Sequence, residues 1–396
     1  MTDRYRVAVI GRGLIGSAAA RHLGEAGVPT VLVGAGEPVD YASWTGPFAS
    51  HYDEGRVTRI ADRDALWAEL AARSIRRYED IETRSGIAFH EQRGLVMVSE
   101  HAATATAHAV ARGADARLVT REWVRDTTGI HLAGEQPGDV LFESGPAGLI
   151  NPRRLVAAQA RLAEVAGVDL IDLPATAIER HADRFEVSTA GGSVAAERVL
   201  LATGAYGASL VGADLALLRR LATVVMAELG PGEKIPSLII REPTSPTLSD
   251  IYWVPPVRYP DGRTMLKIGG DSEPGVFADS DAELRQWFRQ GGSTDEAGVL
   301  RAALRSLLPD AVVRSWAQQP CVLTDTPSGR PYIGWIDDGV AVALGGCGAS
   351  AKSSDELGRL AALLTGAGGW ADPVLDPAEF APRFRGDETL VAHRRG

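Results

Sequence analysis

The chain opens with a glycine-rich turn that lies between two apolar segments. Residues 7–10 (VAVI) are typical of a buried strand, residues 11–16 (GRGLIG) follow at once, and residues 30–33 (TVLV) are typical of a second strand. The stretch between them, residues 17–26, predicts a helix that ends at Gly27. A strand, a G-x-G-x-x-G turn and a helix in this order are typical of a unit that binds the diphosphate of a dinucleotide. The pattern therefore predicts an α/β fold with a Rossmann-like nucleotide domain.

Each glycine of this turn has a separate physical task. Gly11 permits the sharp turn, Gly13 lets the backbone approach a diphosphate, and Gly16 lets the helix pack closely on the strand. Leu14 and Ile15 belong to the same turn, just before the helix, whose N-terminal N–H groups and positive dipole end bind the diphosphate. We therefore expect these five residues to bind the cofactor diphosphate.

The second strand lacks the acidic residue that usually binds the adenosine ribose. It ends at Gly34, and the nearest carboxylate is Glu37, three residues later. Glu37 is either a substitute ribose ligand or a solvated loop charge, and the sequence alone leaves both open. No Arg or Lys follows the strand, which disfavours a 2′-phosphate and therefore NADP.

A later apolar strand ends in the sequence Ala-Thr-Gly. Residues 198–206 (RVLLATGAY) are typical of the strand that returns beneath the cofactor in flavoproteins with the dinucleotide fold. In that position the backbone of Thr203 and Gly204 lies close to the cofactor. Together with the N-terminal turn, this segment favours FAD over NAD.

Composition excludes several classes of function. The chain has 396 residues, with 41 Lys+Arg against 51 Asp+Glu, and a formal net charge of −10. An acidic surface disfavours nucleic-acid binding, which needs clustered cations. No signal peptide or membrane span is expected, and two cysteines, Cys321 and Cys347, suit a reducing cytoplasm. The histidines show no metal-ligand spacing, so no metal site is predicted.

Five segments, in order along the chain, resemble the D-amino-acid oxidase superfamily, and specifically its branch of monomeric sarcosine oxidase and N-methyltryptophan oxidase. They are residues 50–59 (SHYDEGRVTR), 148–152 (GLINP), 264–269 (TMLKIG), 321–327 (CVLTDTP) and 345–352 (GGCGASAK). The first resembles the family segment SHHGDTRIIR, the fourth the turn C-x-x-T-x-T-P, and the fifth the segment GFSGHGFK. The resemblance implies an FAD-binding domain of the glutathione-reductase type, interleaved with a mixed-sheet substrate domain.

The same resemblance, with the changes in composition along the chain, sets the expected domain limits. The FAD-binding domain is expected over residues 1–82, 148–215 and 322–375, the substrate domain over 83–147 and 216–321, and a C-terminal tail over 376–396.

The resemblance assigns four cations to the active site. Arg56 would lie by the flavin, whereas Arg59 and Lys352 would clamp a substrate carboxylate, with Lys352 also near the flavin. Lys267 would stabilise the charge that develops when dioxygen takes electrons. The alternatives are a surface salt-bridge cluster for the arginines, a surface position for Lys267 and a solvated helix start for Lys352.

Further cofactor contacts follow from the same segments. The resemblance places Ser50, Gly346 and Gly348 beside FAD, and gives Cys321 a thioether bond to the flavin 8α-methyl group. The alternative for Cys321 is a packed, unreactive thiol. Because a covalent bond would keep FAD in place, it would compensate for the missing acidic residue at Gly34.

The chain departs from the family around the substrate rather than around the flavin. Tyr52 and Asp271 stand where relatives have His, while Trp253 and Leu323 stand where relatives have Tyr. We expect these four residues to line the substrate pocket. Asp271 would either pair with a basic group of the substrate or be solvated in a loop.

These features predict a monomeric, cytoplasmic, FAD-dependent oxidase. It would oxidise the C–N bond of a secondary amine or an N-methyl or cyclic amino acid to an imine, with dioxygen reduced to hydrogen peroxide. The alternatives are a flavin dehydrogenase or imine-forming oxidase of specialised metabolism, an aromatic hydroxylase, and a flavoprotein without enzymatic activity.

Overall fold

The computed structural model describes residues 4–133, 139–230, 235–242 and 245–386. Its strands are β1 (Arg4–Ile10), β2 (Thr30–Val33), β3 (Arg56–Thr58), β4 (His90–Gln92), β5 (Leu95–Val98), β6 (Asp115–Leu118), β7 (Val140–Gly145), β8 (Gly148–Ile150), β9 (Asp169–Ile171), β10 (Ala175–Arg180), β11 (Phe185–Thr189), β12 (Gly192–Leu201), β13 (Leu218–Glu228), β14 (Ser237–Ile240), β15 (Leu248–Arg258), β16 (Thr264–Ser272), β17 (Val276–Phe277), β18 (Trp316–Asp325), β19 (Tyr332–Asp337) and β20 (Val340–Leu344). Residues 1–3, 134–138, 231–234 and 243–244 of the predicted domains lie outside the described residues, as do residues 387–396 of the predicted tail.

The helices lie between single strands or groups of strands along the chain, except the last α-helix, which follows β20. They are α1 (Leu14–Glu25), α2 (Ala65–Ile75), α3 (Tyr78–Ser85), α4 (Ala102–Val110), α5 (Arg121–Thr128), α6 (Pro152–Val165), α7 (Asp281–Gln290), α8 (Thr294–Leu307) and α9 (Ser350–Ala367), with single 3₁₀ turns at Gly204–Tyr206, Ser209–Val211 and Pro377–Phe380. Within the described ranges, no helix is long and apolar enough to cross a membrane.

One sheet carries the N-terminal motif. Its main strand order is β10-β11-β12-β1-β2-β9, and β1 pairs in parallel with both β2 and β12. Strand residues alternate between two apolar layers: Val7 and Val9 pack with α1 and α9, whereas Ala8 and Ile10 pack on the opposite face. The carboxyl ends of β1, β2 and β12 therefore meet at one edge, which is where such sheets bind ligands.

A second sheet is mixed and is built mainly from the middle of the chain. Its order is β17-β13-β16-β15-β14-β5-β7-β6, with β18 also paired to β13. Most neighbours are antiparallel, but β14 and β5 are parallel. One face of β13, β15 and β16 packs on α8 through Val225, Trp253 and Ile268. The other face presents Lys267 and Cys321, which lie opposite Met226 and Ala222 of β13.

The predicted mixed α/β fold is confirmed, with differences at the ends of elements. Helix α1 begins at Leu14 rather than at residue 17. Cys321 lies within strand β18, not in a turn, because β18 forms a long antiparallel ladder with β13. Lys352 lies in the first turn of α9, not before it. Arg56 begins strand β3, and Arg59 follows the end of this strand.

Candidate active site

The glycine turn after β1 has no room for side chains. Gly11 has a φ of +113°, and a Cβ added there would lie 2.4 Å from the Ala202 carbonyl oxygen. A Cβ on Gly16 would lie 1.9 Å from the Gly11 carbonyl oxygen. Strand β12 therefore lies against the turn, and α1 lies against the turn from the other side. Only glycine is compatible with these two positions.

The start of α1 is open toward the edge of the sheet. Among the described residues, no side chain caps the N-terminal N–H groups of α1, whose N-cap is Gly13. The nearest atom to a Cβ added at Gly13 is His51 Nδ1, at 3.9 Å. Open N–H groups with space beside them form an anion site, because the helix dipole is positive there. These residues fit the diphosphate of FAD.

Glu37, the expected ribose ligand, is engaged in an ion pair. Its two carboxylate oxygens accept hydrogen bonds from Arg153 Nε and Nη2, both at 2.6 Å. The Tyr41 hydroxyl donates a third bond to it at 2.7 Å. A Cβ at Gly34 would lie 2.4 Å from the Arg12 backbone nitrogen, so close packing excludes an acidic side chain there. The ribose role of Glu37 stays a prediction.

The other expected cofactor residues lie on loops at the same sheet edge. Thr203 and Gly204 follow β12, and the Thr203 hydroxyl binds the Gly207 carbonyl. Gly346 lies in the turn before α9, where its N–H binds Thr324 Oγ1 at 3.2 Å. Gly348 of that turn has a φ of +60°. The Ser50 hydroxyl donates to the Val322 carbonyl at 3.4 Å, beside Cys321.

Lys267 and Arg56 share one buried carboxylate. Asp53 accepts hydrogen bonds from Lys267 Nζ and Arg56 Nη1, and Lys267 also binds the Gly55 carbonyl. Lys267 is only 1% exposed and Asp53 only 3%. Burial and the positive charge of Arg56 lower the pKa of Lys267, whereas the negative charge of Asp53 raises it. The resulting pKa is about 8. The side chain is therefore buried, not on the surface.

Cys321 borders a small cavity next to this cluster. The cavity has a volume of about 30 Å³, and Arg56, Tyr52 and Cys321 line it. Trp287 Nε1 donates to the Cys321 carbonyl at 3.2 Å. Cys321 is half-buried, so its thiol is not enclosed in a core.

Arg59 and Lys352 form a second cationic cluster. Asp62 Oδ2 lies 3.1 Å from Arg59 Nη2 and 3.4 Å from Lys352 Nζ. Lys352 Nζ also donates to the Trp67 carbonyl at 3.3 Å and lies 6.0 Å from the centre of the Trp67 ring. Burial would raise the pKa of Asp62, but the two cations outweigh it and lower the pKa to about 2. The predicted pair of cations is thus brought together.

The Arg59 cluster borders a second cavity, which is larger than the one beside Cys321. Its volume is about 220 Å³, and its charged lining is Arg59, Asp62, Arg63, Asp64, Arg241 and Asp325. Apolar atoms from Trp67, Met97 and Ala105 complete the wall. A space of this size with converging charges can hold a small zwitterionic molecule.

The structure contradicts the predicted pocket position of Trp253. Its side chain is fully buried in the core against α8, and Nε1 donates to the Pro236 carbonyl at 2.8 Å. Its neighbour Tyr252 lies instead on the Lys267 face, where a Cβ on Gly269 would lie 2.7 Å from the Tyr252 hydroxyl. Successive strand residues face opposite sides, so a shift of one residue exchanges core and pocket.

Asp271 and Leu323 lie on the sheet face that carries Lys267, and Tyr52 lies at the small cavity. Asp271 pairs with Arg220, which also binds Asp325 at 3.0 Å, and Leu323 lies opposite Arg220 in the ladder. Tyr52 lies at the small cavity, where its hydroxyl donates to the Gly36 carbonyl at 3.2 Å. Among the described residues, no group of three or more His, Cys, Asp or Glu side chains could hold a metal ion.

Sequence reasoning did not identify the carboxylates that hold the cations. Asp53 and Asp62 lie three residues from Arg56 and Arg59, but no local pattern marks their lysine partners or the pairing of Asp325 with Arg220. The available signal was a difference from the family segment, because Asp53 stands where SHHGDTRIIR has Gly.

Comparisons with known proteins find relatives among sarcosine oxidases. The chain is 25% identical over 388 residues to the monomeric sarcosine oxidase of Bacillus sp. (strain NS-129), with 93% of this chain and 94% of the relative covered. The monomeric sarcosine oxidase of Streptomyces avermitilis is 27% identical but matches about half of each chain, 53% and 54%.

Among solved structures, the fold is similar to that of NikD, described as an unusual amino acid oxidase essential for nikkomycin biosynthesis. The TM-score is 0.76 at 20% identity, with 100% of each chain covered. The family model described as FAD dependent oxidoreductase (DAO) matches residues 6–364. This chain therefore belongs to the DAO family of FAD-dependent oxidoreductases.

Proposed function

We propose that this protein oxidises the C–N bond of a secondary amine or an N-methyl or cyclic amino acid to an imine, with dioxygen as the electron acceptor. The observation that carries the proposal is a pair of buried cations that share Asp62: Arg59 lines the 220 Å³ cavity, and Lys352 lies 3.4 Å from Asp62, which lines the same cavity. With FAD bound, the cofactor supplies the acceptor for the hydride equivalent and passes the electrons onward.

Arg59 and Lys352 would bind the substrate carboxylate. The two cations and Asp62 together carry one net positive charge, which favours a single carboxylate in the cavity. Arginine binds carboxylates through a planar fork, whereas lysine adds a point charge. The substrate carboxylate would take over contacts that Asp62 now makes, because both compete for the same N–H donors.

The remaining residues would orient the amine rather than deprotonate it. No histidine lines the 220 Å³ cavity in the described part of the chain. The chemistry does not need a strong protein base if the amine binds in its neutral form. Tyr252 and the Arg220–Asp271 pair lie on the sheet face that carries Lys267. They would line the part of the substrate pocket that lies away from Arg59 and Lys352.

Lys267 would act in the oxygen half-reaction. Its buried ammonium group lies on the face of the sheet that also carries Cys321. A preorganised cation stabilises negative charge that develops on dioxygen, and does so most strongly where water is excluded. We further propose that Cys321 holds FAD covalently and that the protein is a monomer, as in the name of the sarcosine oxidase relatives.

Anaerobic titration with N-methyl and cyclic amino acids tests this function. Loss of the oxidised flavin absorption with at least one of these substrates supports it, and one hydrogen peroxide per substrate in air supports the oxidase form. Bleaching without peroxide would instead favour the flavin dehydrogenase. A yellow protein that no amine bleaches would contradict the amine oxidation itself.

A further inference from the structure

Asp53 is a buried carboxylate that joins the two cations beside the small cavity. It precedes β3 in the segment 50–59, at a position where the family segment SHHGDTRIIR has Gly. Its side chain is 4% exposed. Burying a carboxylate destabilises the fold unless the charge is fully paired, so the partners of Asp53 indicate its role.

The Asp53 carboxylate binds both cations of the cluster, the Tyr259 hydroxyl and the Glu54 backbone N–H, which donates to Oδ1 at 2.7 Å. Oδ2 accepts hydrogen bonds from Lys267 and Arg56, while Oδ1 accepts from the Tyr259 hydroxyl at 2.8 Å. The cations of Lys267 and Arg56 hold the pKa of Asp53 below its usual range although burial would raise it. The carboxylate is therefore ionised at neutral pH.

Lys267 faces both like and opposite charges. The titratable groups around it are Asp53 from the segment before β3, Arg56 at the start of β3, Cys321 from β18, Tyr252 from β15 and Tyr259, which follows β15. In β13 and β15 its direct neighbours are the apolar Met226 and Val254. Among the described residues, Asp53 is the carboxylate that Lys267 contacts. Arg56 cannot give up its proton, so without Asp53 the repulsion would fall on Lys267.

We propose that Asp53 is a positioning residue that keeps Lys267 protonated and fixed in direction for the reaction with dioxygen. The inference rests on the oxygen role of Lys267 in the proposed function. Two acceptors, Asp53 and the Gly55 carbonyl, fix the ammonium group and leave its third N–H for the reaction site. Burial and Arg56 lower the pKa of Lys267 to about 8, and Asp53 acts against this decrease.

The test compares Asp53→Asn with Asp261→Asn, in which an exposed aspartate paired with Arg263 is changed. The bound flavin is reduced by light with EDTA as donor, and its reoxidation in air is followed from about pH 6 to about pH 10. We expect the wild-type rate to fall as pH rises through the pKa of Lys267. In Asp53→Asn the fall should occur at least about one pH unit lower, since loss of a nearby opposite charge lowers a lysine pKa.

The pH profile of Asp53→Glu, which keeps a carboxylate, should lie between those of Asp53→Asn and the wild type. The profile of Asp261→Asn should match the wild type. If Asp53→Asn does not fold, Asp53→Ser replaces it, because it also removes the negative charge beside Lys267 and should move the profile in the same direction. A profile at the wild-type pH in the folded variant would overturn the proposal. The measurement uses no amine, so failure of the substrate assignment would not affect it.

Thermal unfolding provides a measurement that does not depend on activity. The folded pKa of Lys267, about 8, is below its ordinary value of 10.5, so the unfolded chain binds more protons between these values and stability rises with pH there. In Asp53→Asn the folded pKa of Lys267 should be lower, so the pH range over which stability rises should begin at a lower pH. The variant's loss of unfolding midpoint relative to wild type should therefore be largest near neutral pH and shrink toward pH ~10. A loss independent of pH would indicate a purely structural role for Asp53 and contradict the proposal.

Discussion

The carboxylate of Asp62 accepts a hydrogen bond from Arg59 at 3.1 Å in the wall of the 220 Å³ cavity. The same carboxylate oxygen lies 3.4 Å from Lys352 Nζ. In this geometry the aspartate occupies the donors that a substrate carboxylate would use. Asp62 therefore sets how strongly the site attracts an anion.

Asp62→Asn should strengthen the binding of simple carboxylates such as acetate or benzoate. At pH ~6 we expect a roughly tenfold lower Kd, about 1.4 kcal/mol, because the competing anion is gone. The gain should decrease as pH rises, since Asp62 also raises the pKa of Lys352 and its loss lets Lys352 deprotonate earlier. Perturbation of the flavin spectrum measures Kd. Unchanged or weaker binding at pH ~6 would contradict the competition.

Arg59→Ala should weaken the use of carboxylate substrates. Loss of one member of a buried, hydrogen-bonded charge pair costs about 2–5 kcal/mol in kcat/KM. The matched control is Arg63→Ala, which changes a cation on the wall of the same cavity without touching the Asp62 pair. Steady-state kinetics with bound flavin quantified in each variant give the comparison. Equal effects of the two variants would argue against a specific clamp.

Trp253 and Tyr252 should differ in what they control. Trp253→Ala should lower the free energy of unfolding by about 3–5 kcal/mol, because a large, fully buried side chain is lost. Tyr252→Phe should cost less than about 1.5 kcal/mol in stability but alter kcat/KM. Denaturant unfolding and kinetics separate the two effects. A catalytic defect without destabilisation in Trp253→Ala would restore the predicted pocket role of Trp253.

Cys321 should carry FAD through a thioether bond. The thiol is half-buried beside the small cavity that Arg56 also lines, so it is accessible to a flavin at that place. Mass spectrometry of the acid-denatured chain should show the added mass of one FAD, and Cys321→Ser should show the polypeptide mass. Cys347→Ser is the control, and should retain the added mass. Free flavin in the wild-type supernatant with a bare chain would disprove the bond, but not FAD binding.

Asp355 should contribute strongly to stability. It is fully buried in α9 and binds Arg21 at 2.6 Å and Gln159 at 2.9 Å, with Arg77 as a further partner. Asp355→Asn removes the fully buried charge of this network and leaves Arg21 and Arg77 with only Glu25 and Glu356 as carboxylate partners among the described residues, which should cost about 3–5 kcal/mol. Asp337→Asn removes an exposed partner of Arg180 and should cost less than about 1 kcal/mol. Similar urea midpoints for both variants would contradict the importance of the buried network.

The sequence by itself determined the nucleotide unit and the fold class. A glycine turn between a strand and a helix is a local pattern, and its chemistry depends only on residues within about one turn of one another. The active-site positions of these four cations, Arg56, Arg59, Lys267 and Lys352, are predicted only through the resemblance of whole segments. In the structure Arg56 lines the small cavity and Arg59 the 220 Å³ cavity, while Lys267 and Lys352 contact the aspartates that pair with these arginines.

The tertiary structure alone decided which carboxylates neutralise Lys267 and Lys352. Lys267 and Asp53 are 214 residues apart, and they meet because strand β16 and the segment before β3 come together on one sheet face. The same holds for Trp253 and Tyr252, since strand register determines which of two adjacent aromatic residues faces the core. Contacts between distant segments depend on how sheets and helices pack, and no local sequence pattern contains that information.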